Sequence, residues 1–144
     1  MKKICKNDKV YAVYSSVHDN ATSPNQFQFL IAEERSDWIT EDKEAIQVSR
    51  MCYNKGKIFR KHKHILRPRL NNYTQEAFIV VQGKLEATIC DENGEFIEKV
   101  LLHQGDVLAC LKGSHSFQVV EDSSIFFEVK NGCFTSVDED KVFL

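Results

Sequence analysis

The stretch that decides the fold is Gly56-Lys57-Ile58-Phe59-Arg60-Lys61-His62-Lys63-His64, which ends in a His-x-His pair ahead of an apolar run. In an extended chain, side chains two positions apart point to the same side. His62 and His64 are therefore expected to project together. Neutral imidazole is the commonest metal ligand among side chains, so two of them on one side form half of a metal site.

Downstream of this stretch, the pattern indicates β-strands throughout. Six runs rich in Val, Ile, Phe and Leu are separated by short polar or glycine-containing turns: Gln75–Gln82, Lys84–Cys90, Phe96–Leu102, Asp106–Leu111, Ser116–Val120 and Ser124–Lys130. The segment Asp91-Glu92-Asn93-Gly94 predicts a hairpin, because an Asn-Gly pair suits left-handed turn positions. Many short strands without a long helix are typical of an all-β sandwich or a small barrel.

Shorter elements are predicted at the two ends of the chain. Upstream we expect three strands, at Val10–Val17, Gln26–Ala32 and Gln47–Tyr53, and one helical turn, at Asp42–Ile46. At the other end, the charged residues 138–141 precede three apolar residues, and we expect a surface segment with an apolar anchor. The residues predicted to form the core are Phe78, Val80, Leu85, Ala87, Ile89, Phe117, Val119, Ile125 and Phe127.

Length and composition fit one globular domain. The chain has 144 residues, of which 42% are hydrophobic and 28% charged, as in ordinary globular proteins. The net charge of −2 gives no reason to expect nucleic acid or an anionic membrane as a partner. No apolar leader follows the charged start and no run approaches the length of a membrane span, so we expect neither a secretion signal nor a transmembrane helix.

The cysteines indicate a reducing compartment. The five, Cys5, Cys52, Cys90, Cys110 and Cys133, are odd in number and form no CxxC pair. We therefore expect all of them to be reduced thiols, as is typical of a cytoplasmic protein.

Two further side chains extend the His-x-His pair into a candidate site. Glu76 opens an apolar run and shares strand parity with Phe78, which predicts that its carboxylate points inward. His115 stands just before another strand. Three imidazoles and one carboxylate from separate strands can surround a divalent transition metal and leave coordination positions open. Gln75 is the alternative oxygen ligand, or a hydrogen-bonding neighbour of the ligands.

The spacing of these residues resembles that of the cupin superfamily. Gly56-x5-His62-x-His64, followed by Glu76-x6-Gly83, is similar to the first cupin motif, and Gly105-x7-Gly113-x-His115 is similar to the second. The segment between His64 and Glu76 is longer here than in the commonest form of the first motif. In the second motif, Leu111 stands where proline is usual, and the histidine comes one residue early.

This resemblance covers about residues 51–130 and implies a fold and a metal site. It implies one cupin domain over residues 1–144, with a double-stranded β-helix (jelly-roll) barrel over about residues 46–130 and short N-terminal strands before it. Such proteins are commonly homodimers. In metal-binding cupins the ligands stand at the positions of His62, His64, Glu76 and His115. Iron, manganese, nickel, zinc and cobalt all suit such a ligand set.

A narrower resemblance points to a class of substrate. Thr74-Gln75-Glu76, the residues 113–117 and 128–132, and the late Asp140-Lys141 are similar to a poorly characterised cupin subgroup. Its members are often encoded among surface-polysaccharide (O-antigen or capsule) genes. The resemblance implies sugar or nucleotide-sugar processing. Arg69 matches a basic residue that the subgroup places before the Thr-Gln-Glu.

Three other side chains are substrate candidates. Arg60 has the parity of the His pair, so its cation would point into the barrel unless the strand frays there. Arg69, with Arg67, could clamp a phosphate or a carboxylate through paired hydrogen bonds, although a solvated loop would also carry such residues. Tyr73 lies in the same loop. Lys130 shares strand parity with Glu128, which makes Glu128 a candidate ion-pair partner.

Three functions follow from these features. The first is a metal-dependent enzyme, such as an isomerase, epimerase or oxygenase, that acts on a small polar substrate. The second is a metal-independent sugar isomerase or epimerase that uses a histidine as its base. The third is a non-catalytic module that binds a ligand. The presence of Glu76 and His115 counts against the second function, because cupin isomerases of that kind tend to lack the full set of four ligands. Nothing in the sequence excludes the third.

Overall fold

The computed structural model describes residues 1–16, 35–65, 68, 73–133 and 136–144. Its elements, in chain order, are β1 (Lys2–Lys6), β2 (Lys9–Ser15), β3 (Arg35–Trp38), β4 (Ser49–Cys52), β5 (Glu76–Gln82), β6 (Lys84–Cys90), β7 (Phe96–His103), β8 (Val107–Cys110), β9 (Ser114–Val119), β10 (Ile125–Lys130) and the one-turn helix α1 (Val137–Asp140). The predicted strand Gln26–Ala32 lies outside the described residues. Within those residues, no helix has the length and apolar character needed to cross a membrane.

The strands form antiparallel sheets, which confirms the all-β prediction. A five-stranded sheet has the order β1-β2-β8-β5-β10, a three-stranded sheet has the order β7-β6-β9, and β3 pairs with β4. Over the part of the chain that the structure describes, no sheet closes on itself. The strands from β5 to β8 begin and end within one residue of the predicted runs. β6 alternates regularly between buried and partly buried positions, whereas β5 and β8 are continuous apolar runs.

The core has two layers, one on each face of the five-stranded sheet. On the inner face, Phe78 and Val80 of β5 pack with Leu85, Ala87 and Ile89 of β6, so the two larger sheets face each other. On the outer face, Ala77, Ala109 and Leu111 pack with Ile39 and Ile46 from the segment between β3 and β4. Both faces of β5 are therefore covered, as its continuous apolar run predicts.

Three of the nine predicted core residues are exposed in the structure. Val119 of β9 and Ile125 and Phe127 of β10 keep 53%, 50% and 61% of their surface exposed, so their assignment to the core is wrong. The reason is topological. β9 pairs only with β6, and β10 only with β5, among the described strands, so each lies at the edge of its sheet, where its side chains have a neighbouring strand on one side only.

Two shorter predictions are also corrected. Residues 42–46 form no helix. They form a turn followed by a bend, and the Glu44 N–H donates to the carbonyl of Glu41 over 3.0 Å. The tail lies at the surface as expected, but its apolar end does not anchor it. Val142, Phe143 and Leu144 are 86%, 82% and 80% exposed.

Candidate functional site

Glu76 and His115 meet between the two larger sheets. Glu76 opens β5, where it pairs with Lys130 of β10 on one side and Cys110 of β8 on the other. His115 lies on β9, opposite Ile89 of β6. Nε2 of His115 lies 2.8 Å from Oε2 of Glu76. The contact joins a residue of the five-stranded sheet to one of the three-stranded sheet, and the inward orientation predicted for Glu76 is confirmed by its 5% exposure.

The Glu76 carboxylate is held in its ionised form. The hydrogen bond from His115 lowers the pKa of Glu76, and the charges of His115, Lys141 and Lys130 lower it further, whereas burial opposes them. An ionised carboxylate only accepts hydrogen bonds, so Nε2 of His115 carries the hydrogen. In the neutral imidazole, Nδ1 then carries the lone pair. The contact thus selects the tautomer in which Nδ1 is the basic nitrogen.

Two aromatic side chains fix the plane of the His115 ring. The ring centroid of His115 lies 5.7 Å from that of Phe78 and 5.3 Å from that of Phe117, with interplanar angles of 67° and 59°. The two phenyl rings lie 4.1 Å apart and pack on each other. The side chain of His115 keeps 24% of its surface exposed, against 6% for Glu76. The imidazole is therefore held on one side and open to solvent on another.

Gly113 allows the chain to enter β9 at this point. Its φ is +73°, and a Cβ there would clash with the backbone oxygen of Cys90 and lie 2.8 Å from Cδ1 of Tyr11. Only glycine tolerates both the left-handed backbone and the close approach. The position of His115, two residues later, depends on this turn.

Gln75 lies on the opposite face of the sheet from Glu76. Its Oε1 accepts a hydrogen bond from the Ile46 N–H over 2.9 Å, and its Nε2 donates to Oε2 of Glu44 over 2.6 Å. The side chain is 3% exposed. Gln75 thus holds the segment between β3 and β4 against the sheet, and of the two neighbours it is Glu76 that lies beside His115.

His62 and His64 form a second pair, on an exposed segment outside regular structure. Their ring centroids are 5.4 Å apart, so the two side chains are neighbours, and the ring planes are nearly perpendicular. Nδ1 of His62 lies 2.9 Å from the backbone carbonyl of Arg60. A carbonyl only accepts, so Nδ1 is the donor and Nε2 of His62 carries the lone pair.

The structure does not gather the four candidate metal ligands at one point. Among the described residues, which include all four, no group of three or more His, Cys, Asp or Glu side chains is placed to hold a metal ion. The side chains are of the right type, but in this arrangement they form two separate pairs. Of the substrate candidates, Arg60 is exposed and Tyr73 keeps 64% of its surface exposed, whereas Arg69 lies outside the described residues.

Lys130 has a partner that the sequence pattern does not indicate. Its Nζ donates to Oδ2 of Asp140 over 2.6 Å, and the two side chains are 17% and 13% exposed. Asp140, in α1, is therefore an ion-pair partner of Lys130. Its hydrogen bond is the largest cause of the raised pKa of Lys130, and the charge of the predicted partner, Glu128, also contributes. An ion pair between a strand and a tail leaves no periodic signal in a sequence. The only available hint is that Asp140-Lys141 belongs to the narrower resemblance.

Cys110 lies beside Glu76, but its thiol has low reactivity. It is 4% exposed, and burial together with the negative charge of Glu76 raises the pKa of its thiol. The thiolate is the nucleophilic and metal-binding form of cysteine, so this thiol is a poor nucleophile. Within the described chain, Cys5, Cys90, Cys110 and Cys133 are free, in agreement with the prediction of reduced thiols.

The arrangement is an oriented imidazole–carboxylate pair with one ring edge open to solvent. A pair of this kind can accept a proton on the imidazole while the carboxylate stabilises the resulting cation. Comparisons with protein-family models, with curated proteins and with solved structures find no match for this chain.

Proposed function

We propose that this protein is a single-domain cupin enzyme that acts on a small polar substrate at the Glu76–His115 pair. The observation that carries the proposal is the 2.8 Å contact between His115 Nε2 and Glu76 Oε2, which orients a partly exposed imidazole with a buried carboxylate. Two antiparallel sheets that face each other across a shared core are compatible with a jelly-roll barrel. The two cupin-like motifs, around Glu76 and around His115, supply the rest of the support.

In this proposal, His115 is the general base. Its Nδ1 accepts a proton from the substrate, for example from a carbon next to a carbonyl group. Glu76 holds the ring in the required tautomer and stabilises the imidazolium that forms. Returning the proton from Nδ1 to another carbon, or to the other face of the same carbon, completes an isomerisation or an epimerisation. The step needs no oxidant and leaves the proton count unchanged.

The narrower resemblance makes sugars and nucleotide-sugars the first substrates to test. The full-length protein would be incubated with a panel of them in D2O, with thermal denaturation recorded in parallel. We expect at least one compound to raise the melting temperature and to gain deuterium at a carbon, because the base exchanges its proton with solvent. Stabilisation without exchange by every binding compound would replace the enzyme with a non-catalytic binding module. No stabilisation by any compound would contradict the substrate class.

A second candidate function, a metal centre, is favoured by the geometry of the other pair. His62 presents the lone pair of Nε2, since its Nδ1 donates to the Arg60 carbonyl. A ring nitrogen binds a transition metal at about 2 Å, which puts the centroids of two imidazoles on one ion about 5 Å apart. The 5.4 Å between the His62 and His64 centroids fits this spacing. Iron, manganese, nickel, zinc or cobalt would supply Lewis-acid chemistry here, with Glu76 and His115 as the other donor pair.

Elemental analysis of the purified protein tests the metal centre. If it forms, we expect about one transition-metal ion per chain. The double substitution His62→Ala and His64→Ala should remove the ion, because it deletes two of four donors. His103→Ala is the matched control, since His103 is a histidine outside both pairs, with 46% of its side chain exposed. Metal-free wild-type protein that still turns over substrate, or full metal content in the double variant, would contradict the metal centre.

The same resemblance implies a homodimer. Ile125, Phe127 and Val129 expose apolar surface along β10, an edge strand of its sheet. A second copy of the chain that paired with this edge would remove that surface from water.

A further inference from the structure

The basic residues of the chain are concentrated in one part of the sequence. Residues 45–75 contain eight Lys or Arg and no Asp or Glu. The rest of the chain has the other 11 basic residues and all 21 acidic residues, so the net charge of −2 combines +8 in this part with −10 elsewhere. The small net charge therefore hides a strongly basic region, and the binding of a partner depends on local charge.

Residues 53–65, which the structure describes, form the exposed part of this region that we call the basic segment. Its five cations are Lys55, Lys57, Arg60, Lys61 and Lys63. Every residue from 54 to 65 is exposed, and the segment contains no carboxylate side chain. It therefore presents five positive charges and no negative charge to the solvent.

Large apolar side chains lie among these cations. Ile58, Phe59 and Ile65 keep 84%, 55% and 85% of their surface exposed. Apolar surface in water is unfavourable, and exposed apolar patches bordered by polar residues mark sites of interaction with proteins or membranes. The partner of the basic segment should therefore offer both negative charge and an apolar environment.

Contacts with Tyr53 give the start of the segment its shape. The ring of Phe59 lies 5.0 Å from that of Tyr53 at an interplanar angle of 87°. Nζ of Lys57 lies 4.8 Å from the centroid of the same ring. Lys57 and Phe59 are thus held against Tyr53, whereas Ile58, between them, projects into solvent.

Of the anionic partners, a lipid bilayer fits both features. Its headgroup surface attracts Lys and Arg, at about fivefold in affinity for each charge, and the layer beneath takes up apolar side chains. Nucleic acid matches the charge, but its bases stack on aromatic rings and offer no comparable site to Ile58 or Ile65. Only side chains need to enter the lipid, so the irregular backbone of the segment stays among the headgroups, where its polar groups are solvated.

We propose that the basic segment is a docking surface for an anionic lipid bilayer, with its cations at the headgroups and with Ile58 and Ile65 in the apolar layer beneath them. The protein then lies on the bilayer and does not cross it. The proposal is independent of the proposed function, because it uses neither the Glu76–His115 pair nor a metal ion.

Co-sedimentation of the full chain with lipid vesicles tests the docking surface. The vesicles consist of phosphatidylcholine alone or of equal parts phosphatidylcholine and phosphatidylglycerol, and a chelator prevents any metal ion from bridging protein and phosphate. We expect binding to the anionic vesicles to be at least about tenfold tighter than to the neutral ones. Raising the salt from about 0.1 M to about 1 M shortens the screening length from about 10 Å to about 3 Å, which should weaken the binding by a similar factor. Equal binding to both kinds of vesicle, or binding to neither, would overturn the proposal.

Two triple variants of equal net charge separate local from overall charge. Replacing Lys55, Lys61 and Lys63 together by glutamine should weaken binding about 100-fold, at about fivefold for each charge. The matched control replaces three exposed lysines outside the segment by glutamine: Lys9, Lys43 and Lys99. This control should bind within about threefold of wild type, because its lysines do not face the bilayer. Equal weakening in the two variants would assign the effect to net charge and would contradict a local surface.

Ile58→Ser tests the apolar half of the surface. It should weaken binding to the anionic vesicles about tenfold, because the side chain no longer leaves water for lipid. Its thermal denaturation should match that of wild type, since Ile58 buries little surface in the folded protein. Val142→Ser is the matched control, because Val142 is 86% exposed but follows the acidic residues 138–140, and it should bind as wild type does.

Two results of this comparison would count against the bilayer. The first is wild-type binding by Ile58→Ser. The second is a single-stranded oligonucleotide that binds as tightly as the anionic vesicles and is unaffected by Ile58→Ser. In that case the basic segment is a nucleic-acid surface and the proposal is wrong.

Discussion

Replacement of His115 by glutamine is expected to lower kcat/KM by about 10²- to 10⁴-fold, the usual contribution of a general base. The Nε2 amide of glutamine reaches as far as the Nε2 of histidine and can still donate a hydrogen bond to Glu76, but it cannot accept a proton. The fold should therefore survive while proton abstraction is lost. Deuterium exchange into the substrate, followed by NMR, measures the loss directly.

His103→Gln is the matched control for this prediction. His103 lies at the end of β7, with 46% of its side chain exposed and its Nδ1 3.7 Å from Oδ2 of Asp106. The same chemical change there should leave kcat/KM within about twofold, because a residue outside the site makes no contact with the transition state. Equal activity in the two variants would show that His115 is not the base.

Substitution of Gly113 by alanine should destabilise the protein by about 3–5 kcal/mol. A left-handed backbone costs an L-residue about 1–2 kcal/mol, and the added Cβ would also meet the Cys90 carbonyl and the Tyr11 ring. The carbonyl belongs to β6 and cannot move without breaking its ladder. Urea denaturation measures the change in the free energy of unfolding.

A second glycine separates the two causes of this loss. Gly132 has a φ of +87°, but nothing lies within 4 Å of the Cβ it would gain. Gly132→Ala should therefore cost only the backbone contribution of about 1–2 kcal/mol. If Gly113→Ala cost no more than Gly132→Ala, the close approach to Cys90 would not constrain the turn before His115.

The central strands could be predicted from the sequence because burial requires an apolar residue at each position that faces the core. Leu85, Ala87 and Ile89 alternate with polar neighbours in β6, and all three are buried. The inward direction of the Glu76 side chain could be predicted for the same reason. Its neighbours two and four positions along β5, Phe78 and Val80, must face the core, so Glu76 does as well.

Edge strands could not be predicted in this way. Phe127 has apolar residues two positions away on both sides, Ile125 and Val129, yet it keeps 61% of its surface exposed. Apolar composition shows that a segment suits a sheet, but not whether another strand lies beside it. The order of strands depends on contacts between distant parts of the chain, which leave no local signal.

The two halves of the candidate site differ for a related reason. Glu76 and His115 each lie in a regular strand, so strand parity was a sound guide to the direction of their side chains. For His62 and His64 strand parity would require an extended chain, and the described segment around them has no regular structure. Their convergence with Glu76 on one ion remains a prediction. The partner of Lys130, Asp140, lies ten residues further along the chain. No periodic pattern in the sequence indicates this contact.

The burial of Cys110 has a consequence for how the protein withstands oxidative damage. Oxidants and alkylating agents react with exposed thiolates, and Cys110 offers neither exposure nor negative charge, because the carboxylate beside it opposes ionisation. Cys5 and Cys133 are exposed and would be modified first. Peroxide could therefore mark the surface of this protein extensively before it altered the sulfur next to Glu76.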